Sequence, residues 1–498
     1  MMCYSKSVKG TYALWRKQMS EKTEYTPVSC HGRQIIYSSY DKVTDDNIFD
    51  ILAQAIPTFL ANQQQINYLD NYRKGLTPVL LRTKKYRPEI NNKINVNRAS
   101  EIVSFKVGYF LNEPEQLVAR GKDGEEVVDQ IARLNEYMYL ADKDYHDRDI
   151  VEKFSVAGTA YRLILPTSRD AECPFEIFDV DTGQAFVVYS SKIGNKPLMG
   201  CIAVPKYVFN NNISSVVITY CCYTQDRYYE ISGSSLETFE KKVSMPHFLK
   251  TIPLIEYPNN ASRTGDFELV LPLLDALSTV TSNRIDGIEQ FIQSFLKFIN
   301  VDISEEDFEK LKEKGVIKVT SVGDGKSDVE FVTQKLDQSD TQTLINSINQ
   351  DIMTITGMPN QIGSNASTSD NVGSVIVRNG WEGAESRARS TELIFKRSEK
   401  EMLSIAIACI NTLKNDNIKL QNVGIKLPRR NYENIGQKAT VLTQMLGSDK
   451  IAPKLAFESC GLFNDPEVAY IMSKNYVEKL AKIQQTLKEP IQDENKVE

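Results

Sequence analysis

Between Asp266 and Ile299 the sequence places Leu269, Leu273, Leu277, Val280, Ile288, Phe291, Phe295 and Ile299 at helical intervals, with polar residues elsewhere. The pattern predicts one amphipathic helix over 266–299. About 34 residues at ~1.5 Å each make a rod of roughly 50 Å. An apolar stripe of that length needs a large partner surface, so it constrains the whole architecture. Pro272 falls in the first turns, where a helix tolerates it.

The segment after the rod is equally specific. Ser304-Glu305-Glu306-Asp307 opens a short helix in the pattern of a capping box, and Gly315 closes it. Val316–Val319 and Val329–Val332 then flank a Gly323-Asp324-Gly325 corner, which predicts a hairpin over 316–333. Residues 300–336 thus read as a small αββ module inserted between two rods. The second rod, 337–357, starts at Ser339-Asp340-Thr341-Gln342, carries Leu344, Ile348, Ile352 and Ile355, and stops at Met358-Pro359. Residues 358–374 are rich in Asn, Ser, Thr and Gly with a single charge, a length that in compact domains belongs to functional loops. A third long helix (375–414), a strand from Ile418 to Leu427 and two or three short helices over 431–487 complete the chain, with a polar tail from Lys488.

The N-terminal half is mixed. Residues 1–43 form an arm without period, and 44–74 a helix with a kink expected at Pro57. Further helices cover 96–111 and 127–155, and from 156 to 257 the period changes to two, an antiparallel strand region. The fold class is α+β. Arg73, Lys74, Arg82, Lys84, Arg87 and Arg98 belong to a basic stretch opposed only by Glu89. It reads as a solvated face, as intersubunit ion pairs, or as a contact with DNA or an acidic neighbour.

Several chemistries lack support. None of the 8 cysteines forms a C-x-x-C pair, and His31, His146 and His247 show no metal-ligand spacing. The Gly325-Lys326-Ser327 tail lacks the glycine a P-loop needs, since position 320 is Thr320. No cofactor is implied. Asp142, Asp144, Asp147 and Asp149 are the densest carboxylate cluster, and on a helix they spread around a solvated face rather than gathering metals. A net charge of −6 argues against a protein that grips DNA along its length. No apolar run approaches a membrane span, and no apolar run before Trp15 marks a secretory signal.

The order rod, module, rod, neutral loop, long helix resembles the portal proteins of tailed bacteriophages, of the siphophage type found in Gram-positive hosts. Short phrases carry the resemblance: Asn91-Asn92-Lys93 with Val96-Asn97; Gly108-Tyr109 through Asn112-Glu113-Pro114; Ile252-Pro253-Leu254-Ile255 with Asn259-Asn260 and Leu273-Leu274-Asp275-Ala276; and Asp370-Asn371-Val372-Gly373 through Trp381. Asn112 stands where glycine is usual, a local departure in one turn.

The resemblance implies a non-enzymatic ring of about twelve copies at one capsid vertex, a channel for double-stranded DNA. It implies that 44–265 and 375–430 form a wing, 266–299 and 337–357 the stem helices, 300–336 the clip and 431–487 a crown. It places the tunnel loop at 358–374, where Asn360, Gln361, Ser364, Asn365, Thr368, Ser369 and Asn371 approach DNA. In the clip, Glu305, Glu306, Glu309, Lys310, Lys312 and Lys314 would dock the terminase large subunit and later a head-completion or adaptor protein. Major capsid and scaffolding proteins are further partners. The resemblance also implies assembly in the host cytoplasm and residence in the virion, away from membranes. A different head–tail connector or minor capsid protein, and a nucleic-acid-processing enzyme, remain as other classes.

Overall fold

The computed structural model describes residues 32–120, 125–210, 213–233, 236–292, 295–299, 328–332, 338–359, 380–429, 435–463 and 466–488. Its elements combine a helical part with a run of eight consecutive strands in an α+β arrangement. The chain enters through β1 (Ile36–Ser38), which pairs in parallel with β5, so the end of the expected arm is part of a sheet. Helix α1 (Ile48–Arg73) runs through Pro57. Its buried residues Ile48, Ile51, Leu52, Ala55, Phe59, Ile66, Leu69 and Tyr72 fall on one stripe at three- and four-residue spacing.

Helix α2 (Arg98–Phe110) comes next, capped by the Asn97 side chain, which accepts from Ser100 N–H. Strand β2 (Gln116–Ala119) leads to α3 (Glu125–Leu140) and α4 (Lys143–Ala157). These replace the single helix expected over 127–155. The break falls at Asp142, whose φ of 51° is left-handed. Aspartate tolerates that region better than most side chains, so no glycine or proline marks the corner.

Strands β3 (Thr159–Pro166), β4 (Phe175–Val180), β5 (Ala185–Ser190), β6 (Pro197–Asn210), β7 (Ile213–Tyr223), β8 (Arg227–Ser232), β9 (Glu240–Pro246) and β10 (Leu254–Pro258) build two sheets. One has the order β1-β5-β6-β7-β8-β9, the other β10-β3-β4. Period-two alternation sets their faces. Tyr161, Leu163 and Leu254 of the small sheet pack on Ala185, Val187 and Ile202 of the large one. The other face of the large sheet is covered by α1, with Phe59 and Phe186 rings 4.6 Å apart. The other face of the small sheet, through Ala160 and Ile164, joins a helical core with Phe110, Phe154 and Phe395.

The chain then forms α5 (Leu271–Ile292), β11 (Phe295–Ile299), β12 (Asp328–Val332), α6 (Gln338–Thr356) and α7 (Trp381–Leu413). Strand β13 (Val423–Lys426), shorter than the expected 418–427, pairs with β2. Helices α8 (Ile435–Leu446), α9 (Pro453–Cys460) and the long α10 (Pro466–Lys488) end the described chain. Cys201 and Cys222 are buried free thiols in register across β6 and β7, consistent with a structural role.

Candidate functional site: the stem and the root of its loop

Helices α5 and α6 pack against each other, and Arg284 donates to the Gln342 side chain across them at 2.7 Å. The first rod, expected to stay helical to Ile299, leaves the helix after Ile292. Phe295–Ile299 is instead a strand, paired antiparallel with β12 from Phe295↔Val332 to Ile299↔Asp328. Ile288, Phe291, Phe295 and Ile299 keep helical spacing, which hides the change. The strand wins because Phe295-Leu296-Lys297-Phe298-Ile299 is rich in strand-favouring aromatics and meets the alternating Asp328-Val329-Glu330-Phe331-Val332, with Lys297 in register with Glu330. Residues 328–332, the expected second strand of a hairpin with 316–319, thus take 295–299 as their described partner, while 316–319 lie outside the described residues. Two helices and a ladder form one hairpin, and residues 300–327 join its two strands.

An extended segment straps this stem to the body. On one face of α5, Ser278, Ser282 and Asp286 recur every four residues and are buried. Ser278 Oγ accepts from Val96 N–H at 3.3 Å, Ser282 Oγ from Ile94 N–H at 3.0 Å, and Asp286 from Asn92 N–H at 2.7 Å. The match is geometric: four helical residues rise ~6.0 Å, and two extended residues ~6.6 Å. Arg82 and Lys84 close the strap with ion pairs to Asp286 at 3.1 and 2.5 Å. Burial pushes the Asp286 carboxyl up, but hydrogen bonds from Lys84 and Asn92 outweigh it and hold it below the usual range. Arg73 pairs with Glu152, Lys74 with Asp70, Arg87 with Glu89 and Arg98 with Glu101. The basic stretch is largely absorbed within its own chain.

At the other end of the stem, α6 stops at Gly357, whose φ is +69°. Met358 N–H bonds back to Met353 C=O at 2.9 Å, closing the helix as a left-handed cap does. From α7, Arg387 donates to the carbonyls of Ile355 and Thr354, the electronegative end of α6. A Cβ on Gly357 would lie 2.6 Å from Arg387 Cδ. Pro359 ends the segment, and the chain resumes at Gly380, φ +80°, where a Cβ would sit 4.0 Å from Pro359 Cα. The excursion 360–379 therefore leaves and returns at one point. Trp381 seats that point against Phe105 and Tyr109, centroids 6.2 and 5.9 Å away. Tyr109 Oη donates to Glu385, which Arg429 grips with two nitrogens at 3.1 Å while also reaching Glu392 at 2.6 Å. Burial raises the Glu385 carboxyl, and Arg429, Arg389 and Tyr109 together bring it below its ordinary value.

Asn360, Gln361, Ser364, Asn365, Thr368, Ser369 and Asn371 lie outside the described residues, as do Glu305, Glu306, Glu309, Lys310, Lys312 and Lys314. The structure describes the bases from which both segments spring. Ser278, Ser282, Asp286 and Arg387 belong to no motif that sequence reasoning singles out, whereas Gly357 stands at the expected end of the second rod. The one signal is a small polar residue repeating every four positions along an apolar rod.

The carboxylate cluster also needs correction. Asp142 and Asp144 are exposed and Asp149 pairs with Lys153, but Asp147 is buried. The turn at Asp142 swings α4 so that Lys143 and Asp147 point inward. Lys143 Nζ lies 2.5 Å from Asp147 and 3.1 Å from both Glu115 and Glu399. Arg162, fully buried, reaches Asp147, Asp179 and Glu399 at 2.8, 3.1 and 3.3 Å. His146 meets Asp179 at 2.8 Å, and Tyr257 donates to Glu399 at 2.8 Å. Two permanent cations face four carboxylates. Burial first, with its acidic neighbours, lifts the Glu115 carboxyl to about 8 against the pull of Lys143. The cluster ties α4, β3, β4 and α7 together. Among the described residues no group of His, Cys, Asp and Glu is arranged to hold a metal.

The described chain thus combines a mixed α+β body with a two-helix hairpin that carries an insertion between its strands and a loop rooted at its base. Residues 53–495 match the family described as phage portal protein, SPP1 Gp6-like, and the chain belongs to that family. No curated protein matches the chain closely enough to count as a relative. The family is structural rather than enzymatic, acts in DNA packaging and resides in the virion capsid. No helix among the described residues is long and apolar enough to cross a membrane.

Proposed function

We propose that the chain closes into a ring of about twelve copies at one capsid vertex, through which double-stranded DNA enters at packaging and leaves at ejection. The observation that carries the reading is the opposed placement of the two inserted segments. Residues 300–327 join the strands at one end of the stem hairpin, and 360–379 depart from the other. The strand end is the docking site for the terminase large subunit and afterwards for a head-completion or adaptor protein. The base presents a loop that meets DNA. Asn360, Gln361, Asn365, Thr368, Ser369 and Asn371 offer weak hydrogen bonds to phosphate without a cation to trap it. A net charge of −6 suits a conduit that must release its cargo.

The test is a ring and a loop. Negative-stain images of purified protein with capsid and scaffolding proteins should show rings with a central hole. Shortening 360–373 should leave rings intact and lower the DNA retained per particle. Two lysines in place of Asn365 and Thr368 should make packaging slower and more salt-dependent, since each cation adds a phosphate contact. Normal packaging and retention in both variants would remove this loop from the channel.

A further inference from the structure

A ring in which every copy is equivalent needs two different faces on each copy. The sheet β10-β3-β4 separates two unpartnered surfaces of opposite character. Outside its β10 end, a groove of about 930 Å³ runs between β10 with β5 and the outer side of α7. Leu393 stands 75% exposed at this groove. Lys250, Arg397 and Lys400 are exposed in its walls and form no ion pair among the described residues. Arg263 and Glu256 are committed to each other at 2.7 Å, and Glu401 is an exposed carboxylate against those cations, so the groove is net basic.

At the β4 end the sign reverses. Helix α4 lies across the small sheet against β3 and β4, and beside the corner between α3 and α4 His146 meets Asp179 of β4 at 2.8 Å. Tyr139 and Tyr145 are 80% and 70% exposed there, large apolar areas for side chains that usually bury their rings. Glu136, Asp142 and Asp144 surround them, exposed and without ion pairs among the described residues. Arg133 is committed to Asp416, and Arg148 leaves the corner net acidic.

We propose that the two faces are partners: the acidic, aromatic corner of one copy seats in the basic groove of the next. Charge complementarity selects the occupant, since this chain itself supplies the acidic knob that the groove fits. Because the two faces are different, the contact is head-to-tail, the kind that closes into rings. The inference rests on the portal reading for ring closure and goes beyond it in naming the faces.

The test uses two full-length variants. The corner variant carries Glu136→Lys and Asp144→Lys, the groove variant Arg397→Glu and Lys400→Glu. Each alone sets like charges against each other at every junction, so self-association should weaken about 100-fold or more and rings should not form. Mixed in equal amounts, each variant's altered face meets an opposite charge on the other. Rings should return, with equal numbers of the two chains by native mass spectrometry. Either variant forming rings alone as the wild type does, or a mixture that fails to associate or assembles in random proportion, would overturn the proposal. Sedimentation of the mixture scores the pairwise contact without ring closure, whereas a wild-type chain that never forms rings counts against the portal reading. Should a charge variant fail to fold, Tyr139→Ser with Tyr145→Ser serves as the corner variant and Leu393→Glu as the groove variant. Either is expected to stop ring formation, and normal rings in both would equally refute the contact.

Discussion

Gly357 and Arg387 together set where the loop leaves the stem, and a double-mutant cycle tests whether they act as one unit. In Gly357→Ala, an L-residue must hold φ +69°, at about 1–2 kcal/mol. The new Cβ also falls 2.6 Å from Arg387 Cδ, so the arginine must swing away and release the carbonyls of Thr354 and Ile355. Arg387 is exposed, so water replaces part of what is lost, and the two bonds contribute about 1 kcal/mol together. Gly357→Ala should therefore destabilise the last turn of α6 by about 2–3 kcal/mol, and Arg387→Ala by about 1. The double variant should cost about 2–3, not the sum, because the alanine has already displaced the arginine. That leaves a coupling of about 1 kcal/mol. The assay is native-state hydrogen exchange at Gly357 and Met358, whose amides bond to Thr354 and Met353 carbonyls. Gly357→Ala should speed their exchange about 30- to 150-fold, and adding Arg387→Ala should change it little. Independent effects that simply multiply, or an unchanged rate in Gly357→Ala, would refute the argument.

Three further outcomes concern the strap, the buried cluster and residues 305–314. Asp286→Ala strands Arg82, Lys84 and the Asn92 N–H, and should destabilise the protein by about 2–4 kcal/mol in urea unfolding of the assembled and unassembled chain. Because the Asp286 carboxyl is held low, its contribution is complete above the ordinary aspartate range and disappears as pH falls through its folded-state value, so wild type and variant should converge at strongly acid pH. Glu115 has the opposite sign: the folded state binds its proton more tightly, so stability should fall as pH rises from 4.5 to about 8, and Glu115→Gln should flatten that slope in thermal melts across the range. Reversing the charges of Glu305, Glu306, Glu309, Lys310, Lys312 and Lys314 should leave rings intact and weaken terminase binding in pull-down, and unchanged packaging would exclude these residues as the docking surface.

Local patterns are legible in the chain. The stripe of α1, the shift to period two after 156, and the stop at Gly357-Met358-Pro359 all rest on contacts or dihedrals within a few residues. The departures have other sources. At Asp142 a side chain that tolerates the left-handed region bends the chain without glycine or proline. At Phe295 a strand partner some thirty residues away in sequence overrides a helical spacing that is still present. Asp147 has the pattern of a solvated residue because its partner Arg162 comes from β3, and that contact turns it and the nearby Lys143 inward. Long-range pairing decides the last two, and a single sequence carries no local trace of it.

The stem and the loop root are held by different kinds of bond, and the difference bears on what each can do. An apolar seam alone would let α5 shift along the strap, because apolar contact is nearly indifferent to register. Ser278, Ser282 and Asp286 remove that freedom. Their three acceptors meet the N–H groups of Val96, Ile94 and Asn92 in one register, and a slip by one turn of ~5.4 Å would move each acceptor onto the next donor along and leave buried Asp286 without its Asn92 partner. The hairpin is thereby fixed in its axial position relative to the body. The loop root is secured instead by a glycine cap and an exposed arginine, contacts that exchange readily with water. Its outer anchor is firmer, since the Arg429 side chain lies only 9% exposed between Glu385 and Glu392. The start of α7 is thus held to the body while the end of α6 can open.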